Sequence, residues 1–282
     1  MSLNAHESAT LQRVFGFRAL RPAQAPVIEH VLRGGDAFVL MPTGGGKSLC
    51  YQFPAVVRPG MALVISPLIA LMKDQVDGLR LQGIRAAFLN STLEEAEERE
   101  VYDAVLSGTL DLLYIAPERL FAPGNGLLDQ LKRRPLSLIA IDEAHCVSQW
   151  GHDFRPHYLE LRSLKDHFPD APMVALTATA DQLTRDDILE QLQLQRAPTF
   201  ISSFDRPNIH YAVAPKRGWK DQLWSFLHDQ AGASGIIYCL SRRSTEDLAA
   251  ELSASGFNAV AYHAGLPADE RDRRQTAFIR DK

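Results

Sequence analysis

The chain has 282 residues, with 30 lysines and arginines against 34 aspartates and glutamates, which gives a formal net charge of −4. A chain of this length can bury a large core, and its apolar fraction of 46% is ordinary for a water-soluble globular protein. The acidic balance excludes binding to nucleic acid through overall charge, so any such contact must come from a local surface.

The three cysteines, Cys50, Cys146 and Cys239, are far apart and form no CxxC pair. This spacing predicts neither a disulfide framework nor a zinc site, and it is typical of a reducing compartment. The N-terminus lacks the apolar segment of a signal peptide, and no later stretch has the length of a membrane span. We therefore expect a cytoplasmic protein without membrane contact.

Short apolar runs alternate with amphipathic stretches along the first two hundred residues. The predicted strands are 37–41, 63–66, 86–89, 112–116, 138–142 and 174–177. The predicted helices between them include 68–81, 94–106 and 182–192. Strands that are apolar throughout indicate a parallel sheet with helices on both faces, so the order predicts a doubly wound α/β fold.

The alternation of apolar and amphipathic stretches ends at the polar, turn-like stretch 201–208, and we predict a linker at 204–212. It separates a first domain, 1–203, from a second, 213–282. The second domain is predicted to contain strands 236–239 and 259–262 and a helix at 245–252. Two βα units are too few to close a parallel sheet, so we expect this domain to be incomplete.

The segment MPTGGGKS at 41–48 lies between a predicted strand and a predicted helix. It fits the phosphate loop GxxxxGK[ST] except at Met41, and its nucleotide-contacting residues would be Thr43, Gly44, Gly45, Gly46, Lys47 and Ser48. Glycines allow backbone N–H groups to point at phosphates. Lys47 would reach the β- and γ-phosphates of ATP, and the Ser48 hydroxyl would bind Mg²⁺.

Two adjacent carboxylates, Asp142 and Glu143, follow an apolar strand about 95 residues further on. The carboxyl ends of parallel strands line the crevice in which ligands bind. Asp142 would hold Mg²⁺, and Glu143 would polarise the water that attacks the γ-phosphate. The two segments together predict ATP hydrolysis.

The combination of GGGKS with DEAH at 142–145 resembles superfamily 2 helicases, and the resemblance implies RecA-like domains. Thr177 and Thr179 match the family's Thr-Ala-Thr segment, which with His145 would couple the nucleotide site to nucleic acid. The segments ISPLIALMKDQ at 65–75 and YIAPER at 114–119 look like those that hold the backbone of a single strand.

The segment HCVSQWGHDFRP at 145–156 places Trp150, His152, Phe154 and Arg155 directly after the carboxylates. Aromatic side chains beside a cation suit stacking on unpaired bases and contact with phosphate, although composition alone also allows the aromatics to be core residues. The segment closely resembles the aromatic-rich loop of RecQ helicases, which couples single-stranded DNA to ATP hydrolysis.

The segment FGFRALRPAQ at 15–24 resembles the adenine-recognition segment of RecQ helicases. The resemblance implies that Phe17 stacks on adenine, Arg21 contacts the nucleotide and Gln24 reads the adenine edge. Segments 235–242 and 261–266 resemble the start of the family's second RecA-like domain. The histidines at 145, 152 and 157 match no zinc signature.

We therefore expect an ATP- and Mg²⁺-dependent 3′-to-5′ DNA helicase that acts on single-stranded and duplex DNA at the bacterial nucleoid. The family's arginine finger lies in a QxxGRAGR-like segment that the 282 residues do not contain, so the motor is expected to be incomplete. One alternative is a nucleotide-dependent single-strand-binding module without turnover. A second alternative is an RNA helicase, against which the aromatic segment argues.

Overall fold

The computed structural model describes residues 3–122, 124, 126–151, 153–203, 205 and 208–280. The chain divides into two compact units, Met1–Ile209 and His210–Lys282. The predicted linker, 204–212, spans the boundary between them. Within the described ranges, no helix has the length and apolarity that a bilayer crossing requires.

The described part of the first unit forms a seven-stranded parallel sheet with the order β3-β4-β2-β5-β6-β1-β7. Its strands are β1 (Ala37–Leu40), β2 (Met61–Ile65), β3 (Ala86–Leu89), β4 (Leu112–Ile115), β5 (Leu136–Ile141), β6 (Met173–Thr177) and β7 (Thr199–Ile201). The six predicted strands are confirmed, with bounds that differ by at most two residues. The sequence did not predict β7, because this three-residue strand at the sheet edge is largely exposed.

Two helices precede β1, and helices follow most of the strands. They are α1 (Ala5–Phe15), α2 (Ala25–Leu32), α3 (Leu49–Val57), α4 (Ile69–Leu81), α5 (Glu95–Ser107), α6 (Pro117–Leu120), α7 (Leu127–Leu131), α8 (Ser163–His167) and α9 (Gln182–Gln191), with 3₁₀ helices at Ala144–Val147 and Pro156–Arg162. The predicted helices 68–81, 94–106 and 182–192 correspond to α4, α5 and α9. A capping box of Asn4 and Glu7 begins α1, since each side chain accepts a hydrogen bond from the other's backbone N–H.

The core consists of two apolar clusters, which lie on opposite faces of the sheet. Along β2, Leu63 and Ile65 belong to one cluster while Ala62 and Val64 belong to the other. This alternation follows from the two-residue period of a strand, and burial on both faces explains why the strands are apolar throughout. The clusters hold the sheet between two helical layers, so the loops at its carboxyl edge project from a rigid base.

The carboxyl edge brings three segments of interest together, because β5, β6 and β1 are consecutive neighbours in the sheet. The phosphate-loop segment follows β1, Asp142 follows β5 directly, and β6 ends at Thr177. The backbone N–H of Met41 donates to the carbonyl of Thr177 at 3.1 Å, so the loop is tied to β6 where it begins. Adjacent strands lie about 4.8 Å apart, which places the loop and the carboxylates roughly 10 Å apart at the strand ends.

The described part of the second unit contains three helices: α10 (Trp219–Asp229), α11 (Arg242–Ala254) and α12 (Ala268–Arg280). The predicted helix at 245–252 lies inside α11. The predicted strands at 236–239 and 259–262 are wrong, since neither segment pairs as a strand among the described residues. A strand is stable only when a neighbouring strand accepts and donates its backbone hydrogen bonds, and neither run has such a neighbour in the part of the chain that the structure describes.

Candidate nucleotide and nucleic-acid site

The segment 41–48 forms a tight loop between β1 and α3, as its glycines predict. Gly46 has φ +86°, and a Cβ at this position would lie 2.2 Å from the side-chain nitrogen Nε2 of Gln24, so only glycine fits here. Lys47 folds back over the loop, and its Nζ donates to the carbonyl of Met41 at 3.1 Å. Ser48 immediately precedes α3, which begins at Leu49. The loop therefore has the compact form and the helix N-terminus that suit phosphate binding.

The segment predicted to recognise adenine contacts this loop directly. Arg21 Nη1 donates to the carbonyl of Gly44 at 2.8 Å, and Gln24 Nε2 donates to the carbonyl of Gly46 at 3.1 Å. Gln24 Oε1 also accepts a hydrogen bond from the Arg21 N–H at 3.0 Å, and the residue is only 4% exposed. Phe17 is 51% exposed. The oxygen and the nitrogen of the Gln24 amide are thus both hydrogen-bonded. The bond to Gly46 helps to position the loop, a role that the sequence did not indicate.

The two carboxylates lie where β5 ends. Burial, and after it the neighbouring charge of Glu143, raise the pKa of the Asp142 carboxyl to about 6, although the Glu143 N–H, Lys47 and His145 act in the opposite direction. The backbone N–H of Glu143 donates to Asp142 Oδ1 at 3.0 Å. Glu143 itself has φ +48°, a left-handed conformation that costs a non-glycine residue about 1–3 kcal/mol. This turn directs the chain from the strand into the 3₁₀ helix that follows.

The residues predicted to couple the nucleotide site to nucleic acid are brought together by side-chain contacts. His145 is buried, and its Nδ1 lies 2.9 Å from Thr177 Oγ1 and 3.3 Å from Glu143 Oε2. Thr177 Oγ1 in turn accepts a hydrogen bond from the Thr179 N–H at 3.2 Å. A continuous polar path therefore joins the end of β5 to the end of β6.

The side chains predicted to bind Mg²⁺ offer only oxygen atoms, which is the donor type that Mg²⁺ prefers. Ser48 and Asp142 would hold the ion, and the described residues fit this role by their chemistry and by their place at the carboxyl edge. A second cluster among the described residues joins His145, Cys146 and Asp153, whose ligand atoms lie within 4.8 Å of one another. In this cluster Asp153 already forms an ion pair, since its Oδ2 lies 3.0 Å from Arg155 Nη2.

The aromatic-rich segment lies against the 3₁₀ helix that contains His145. Trp150 is 73% exposed, so the interpretation of this residue as core is wrong. Gly151 allows this segment to lie close to the His145 backbone, since a Cβ at position 151 would lie 2.4 Å from the His145 carbonyl oxygen. Phe154 is partly buried, and Arg155 Nη1 donates to the carbonyl of Pro67 at 3.1 Å. His152, also predicted to contact DNA, lies outside the described residues.

Two groups of polar residues near the site were not predicted from the sequence. The first is a buried network of Tyr51, Gln52, Gln75 and Tyr114. The second lines a cavity of about 340 Å³ beside the phosphate loop, where Ser202, Ser203, Asp205 and Asn208 face Arg21, Pro22, Ala23, Pro42, Gly44 and Gly45. These residues carry no motif of their own, and only the fold shows that the stretch after β7 passes the phosphate loop.

A parallel sheet with a phosphate loop after β1 and paired carboxylates after β5 defines a P-loop nucleotide-binding domain. The model of the DEAD/DEAH box helicase family matches residues 21–188. The chain belongs to the DEAD/DEAH box helicase family.

Relatives with similar sequences are RecQ helicases, which confirms the resemblance seen in the motifs. The chain is 51% identical over 271 residues to the ATP-dependent DNA helicase RecQ of Pasteurella multocida, covering 96% of this chain and 43% of that protein. It is 50% identical over 273 residues to the RecQ of Haemophilus influenzae, covering 97% and 44%. It is also 42% identical over 289 residues to the helicase SGS1 of Saccharomyces cerevisiae, covering 96% and 19%. The chain thus spans less than half the length of these relatives.

Solved helicase structures share the fold. The DUF1998 helicase MrfA bound to DNA and AMPPNP has a TM-score of 0.74 at 19% identity, covering 98% of this chain and 42% of that one. A hypothetical ATP-dependent RNA helicase from Sulfolobus tokodaii has a TM-score of 0.54 at 18% identity, covering 98% and 80%. At these identities the likeness concerns the α/β architecture alone.

Proposed function

We propose that the chain carries the ATP-hydrolysing and DNA-contacting part of a RecQ-type DNA helicase. The observation that carries the proposal is the contact path from Glu143 through His145 to Thr177, with the exposed Trp150 on the stretch that follows His145. This observation supports the proposal because the carboxylate that would act in hydrolysis and the side chain that would stack on a base belong to one continuous segment. The names of the relatives support the assignment, and a motor of this kind would work at the bacterial nucleoid.

On the nucleotide side, Lys47 would neutralise the β- and γ-phosphates, and the loop N–H groups would orient them. Asp142 and Ser48 would hold Mg²⁺, which neutralises phosphate charge when it is bound. Glu143 would accept a hydrogen bond from the attacking water and align it. His145, in contact with both Glu143 and Thr177, would keep that carboxylate in position.

On the DNA side, Trp150 presents most of its ring surface for stacking on an unpaired base. Arg155 is engaged with Asp153 and Pro67, so its first role would be to shape the loop. Contact between its guanidinium and a phosphate would require an exchange of these partners. The 3′-to-5′ polarity, and action on duplex as well as single-stranded DNA, rest on the resemblance to RecQ helicases.

A second candidate function is a nucleotide-dependent single-strand-binding module without turnover. It rests on the resemblance to RecQ helicases, whose arginine finger lies in a QxxGRAGR-like segment and contributes about 10³–10⁵ in rate. No residue of this chain is assigned to that role. Both candidates require ATP and a single strand to bind, and they differ only in hydrolysis.

Binding measurements test what the two candidates share. We expect AMPPNP to bind in the presence of Mg²⁺ by calorimetry and to lose at least about tenfold in affinity in Lys47→Ala, because one phosphate-neutralising charge is removed. The matched control is Lys132→Ala, since Lys132 pairs only with the surface residue Asp129 in the described contacts. An affinity that is equal in Lys47→Ala and in the wild type would contradict the assigned phosphate loop.

Fluorescence anisotropy with labelled single strands tests the DNA side. We expect a DNA strand to bind more tightly than an RNA strand of the same sequence, and Trp150→Ala to weaken DNA binding by about tenfold through the loss of stacking. Preference for RNA would favour an RNA helicase instead.

A further inference from the structure

The cavity of about 340 Å³ beside the phosphate loop has three walls, all within the first unit. One wall is Arg21, Pro22 and Ala23, from the segment assigned to adenine. A second wall is the phosphate loop, which contributes Pro42, Gly44 and Gly45. The third wall comes from the stretch after β7, which the sequence predicted only as the start of a linker and to which the proposed function assigned no role. The volume of the cavity is within the range of small-molecule sites.

The covalent order of a nucleotide determines what lies between the first two walls. The base is at one end, the phosphates are at the other, and the ribose joins them. A nucleotide whose base lies along residues 21–23 and whose phosphates lie on residues 42–45 therefore places its sugar in the cavity between these walls. The third wall faces this sugar.

The third wall has the chemistry of a sugar-binding surface. It is formed by Ser202, Ser203, Asp205 and Asn208, whose side chains carry two hydroxyls, a carboxylate and a carboxamide. A carboxylate repels phosphate but accepts hydrogen bonds from hydroxyl groups, and these bonds are stronger than bonds between neutral partners. The vicinal 2′ and 3′ hydroxyls of ribose are donors of this kind.

Backbone contacts hold the near end of this wall against the nucleotide site. The N–H of Ser202 donates to the carbonyl of Leu40 at 2.9 Å, directly before the phosphate loop begins. The N–H of Asp205 donates to Ser203 Oγ at 3.0 Å. The near end of the wall, at Ser202, is thus tied to the end of β1, and Asp205 lies three residues further along the chain.

We propose that Asp205, assisted by Asn208, binds the ribose hydroxyls of ATP, an inference that rests on the proposed nucleotide site. The stretch after β7 is then the sugar-recognition part of the site, between the adenine segment and the phosphate loop. Asp205 accepts hydrogen bonds from the hydroxyls, and Asn208 donates or accepts a further one. Nucleotides that lack both hydroxyls leave the carboxylate without these partners.

Calorimetry with Mg²⁺·ADP and Mg²⁺·2′,3′-dideoxy-ADP tests the inference without interference from hydrolysis. We expect the wild type to bind ADP about tenfold more tightly than the dideoxy analogue, as the loss of a charge-assisted hydrogen bond predicts. Asp205→Ala should bind both nucleotides with the affinity that the wild type shows for dideoxy-ADP. Asn208→Ala should show a smaller preference, and 2′-deoxy- and 3′-deoxy-ADP identify the hydroxyl that is bound.

The matched control is Asp170→Ala, an exposed carboxylate of the first unit that does not line the cavity. It should keep the wild-type preference for ADP. Equal affinity of the wild type for both nucleotides, or an unchanged preference in Asp205→Ala, would overturn the ribose assignment and leave the nucleotide site intact. Absence of ADP binding by a folded wild type would instead overturn the proposed nucleotide site, and the ribose assignment with it.

Discussion

At the scale of single residues, Asp142 shows how the nucleotide site opposes the stability of the fold. Burial raises the pKa of its carboxyl from 3.8 to about 6, and Glu143 beside it contributes to the same shift. The folded protein therefore retains a proton more readily than the unfolded chain between these pH values. The contribution to stability is fully present below pH 3.8 and is lost as the pH rises through 6, because the carboxylate is then charged in a buried position.

We predict that Asp142→Asn stabilises the protein at pH 7, measured by urea unfolding without Mg²⁺ or nucleotide. The gain in the free energy of unfolding should be roughly 1–3 kcal/mol, since a neutral amide replaces a buried charge and can still accept the hydrogen bond from Glu143 N–H. The gain should vanish below pH 4, where the wild-type carboxyl is also neutral. A variant that is less stable than the wild type at pH 7 would show that the charged carboxylate is well accommodated.

Glu143 marks the limit of what the sequence reveals about single residues. The motif DEAH was recognised at 142–145, but the left-handed conformation of Glu143 was not, because nothing in the four letters indicates φ. The structure also gives Arg155 a different first contact from the one that the sequence suggested, since its guanidinium reaches Pro67, 88 residues earlier in the chain. Contacts over such sequence separations follow from the order of strands in the sheet and carry no local pattern.

At the scale of helices and strands, a buried polar network joins α3 to its neighbours. Gln52 Nε2, on α3, donates to Gln75 Oε1 on α4 at 2.8 Å and to the Tyr114 hydroxyl on β4 at 2.9 Å. The Tyr51 and Tyr114 hydroxyls are 3.3 Å apart. The helix that follows the phosphate loop is thereby fixed to the two segments that resemble single-strand contacts, 65–75 and 114–119.

We predict that Gln52→Leu lowers the free energy of unfolding by about 1–2 kcal/mol, because the buried partners of the amide lose a hydrogen bond while the volume is kept. Gln191→Leu is the control, since Gln191 bonds only Asp187, one turn away on α9, in a half-buried position among the described contacts. Chemical denaturation of both variants gives the comparison. Equal effects would show that the network contributes no more than a half-buried bond within one helix.

The strands show why some elements could be predicted and others could not. The six central strands are buried on both faces, so their apolar runs were recognised directly. The edge strand β7 lacks that signal, and the apolar runs at 236–239 and 259–262 have the signal without a paired neighbour in the structure. An apolar run shows that a segment can be buried in a sheet, but a strand forms only where the segment also pairs with a neighbouring strand.

At the scale of the whole molecule, the first unit contains every described residue assigned to ATP, to Mg²⁺ and to the coupling path. The fold class and the family could be predicted, because the phosphate loop and DEAH are local motifs that follow recognisable strands. The third wall of the cavity could not be predicted, because it lies about 160 residues from the phosphate loop and reaches it through the pairing of β1 with β7. Motifs thus indicate where the two ends of a bound nucleotide would lie, and the residues that line the cavity between them are recognised only in the assembled sheet.

The most direct test is ATP turnover by the purified chain with and without single-stranded DNA. We predict that single-stranded DNA raises turnover by about tenfold or more and that Lys47→Ala abolishes turnover. The stimulation by DNA should be largely lost in Trp150→Ala but kept in Trp219→Ala. Trp219 is the matched control, a partly exposed tryptophan at the start of α10. Turnover that single-stranded DNA does not change would contradict the coupling of the two sites. Binding of both ligands without any turnover would contradict hydrolysis by this chain and leave the binding module.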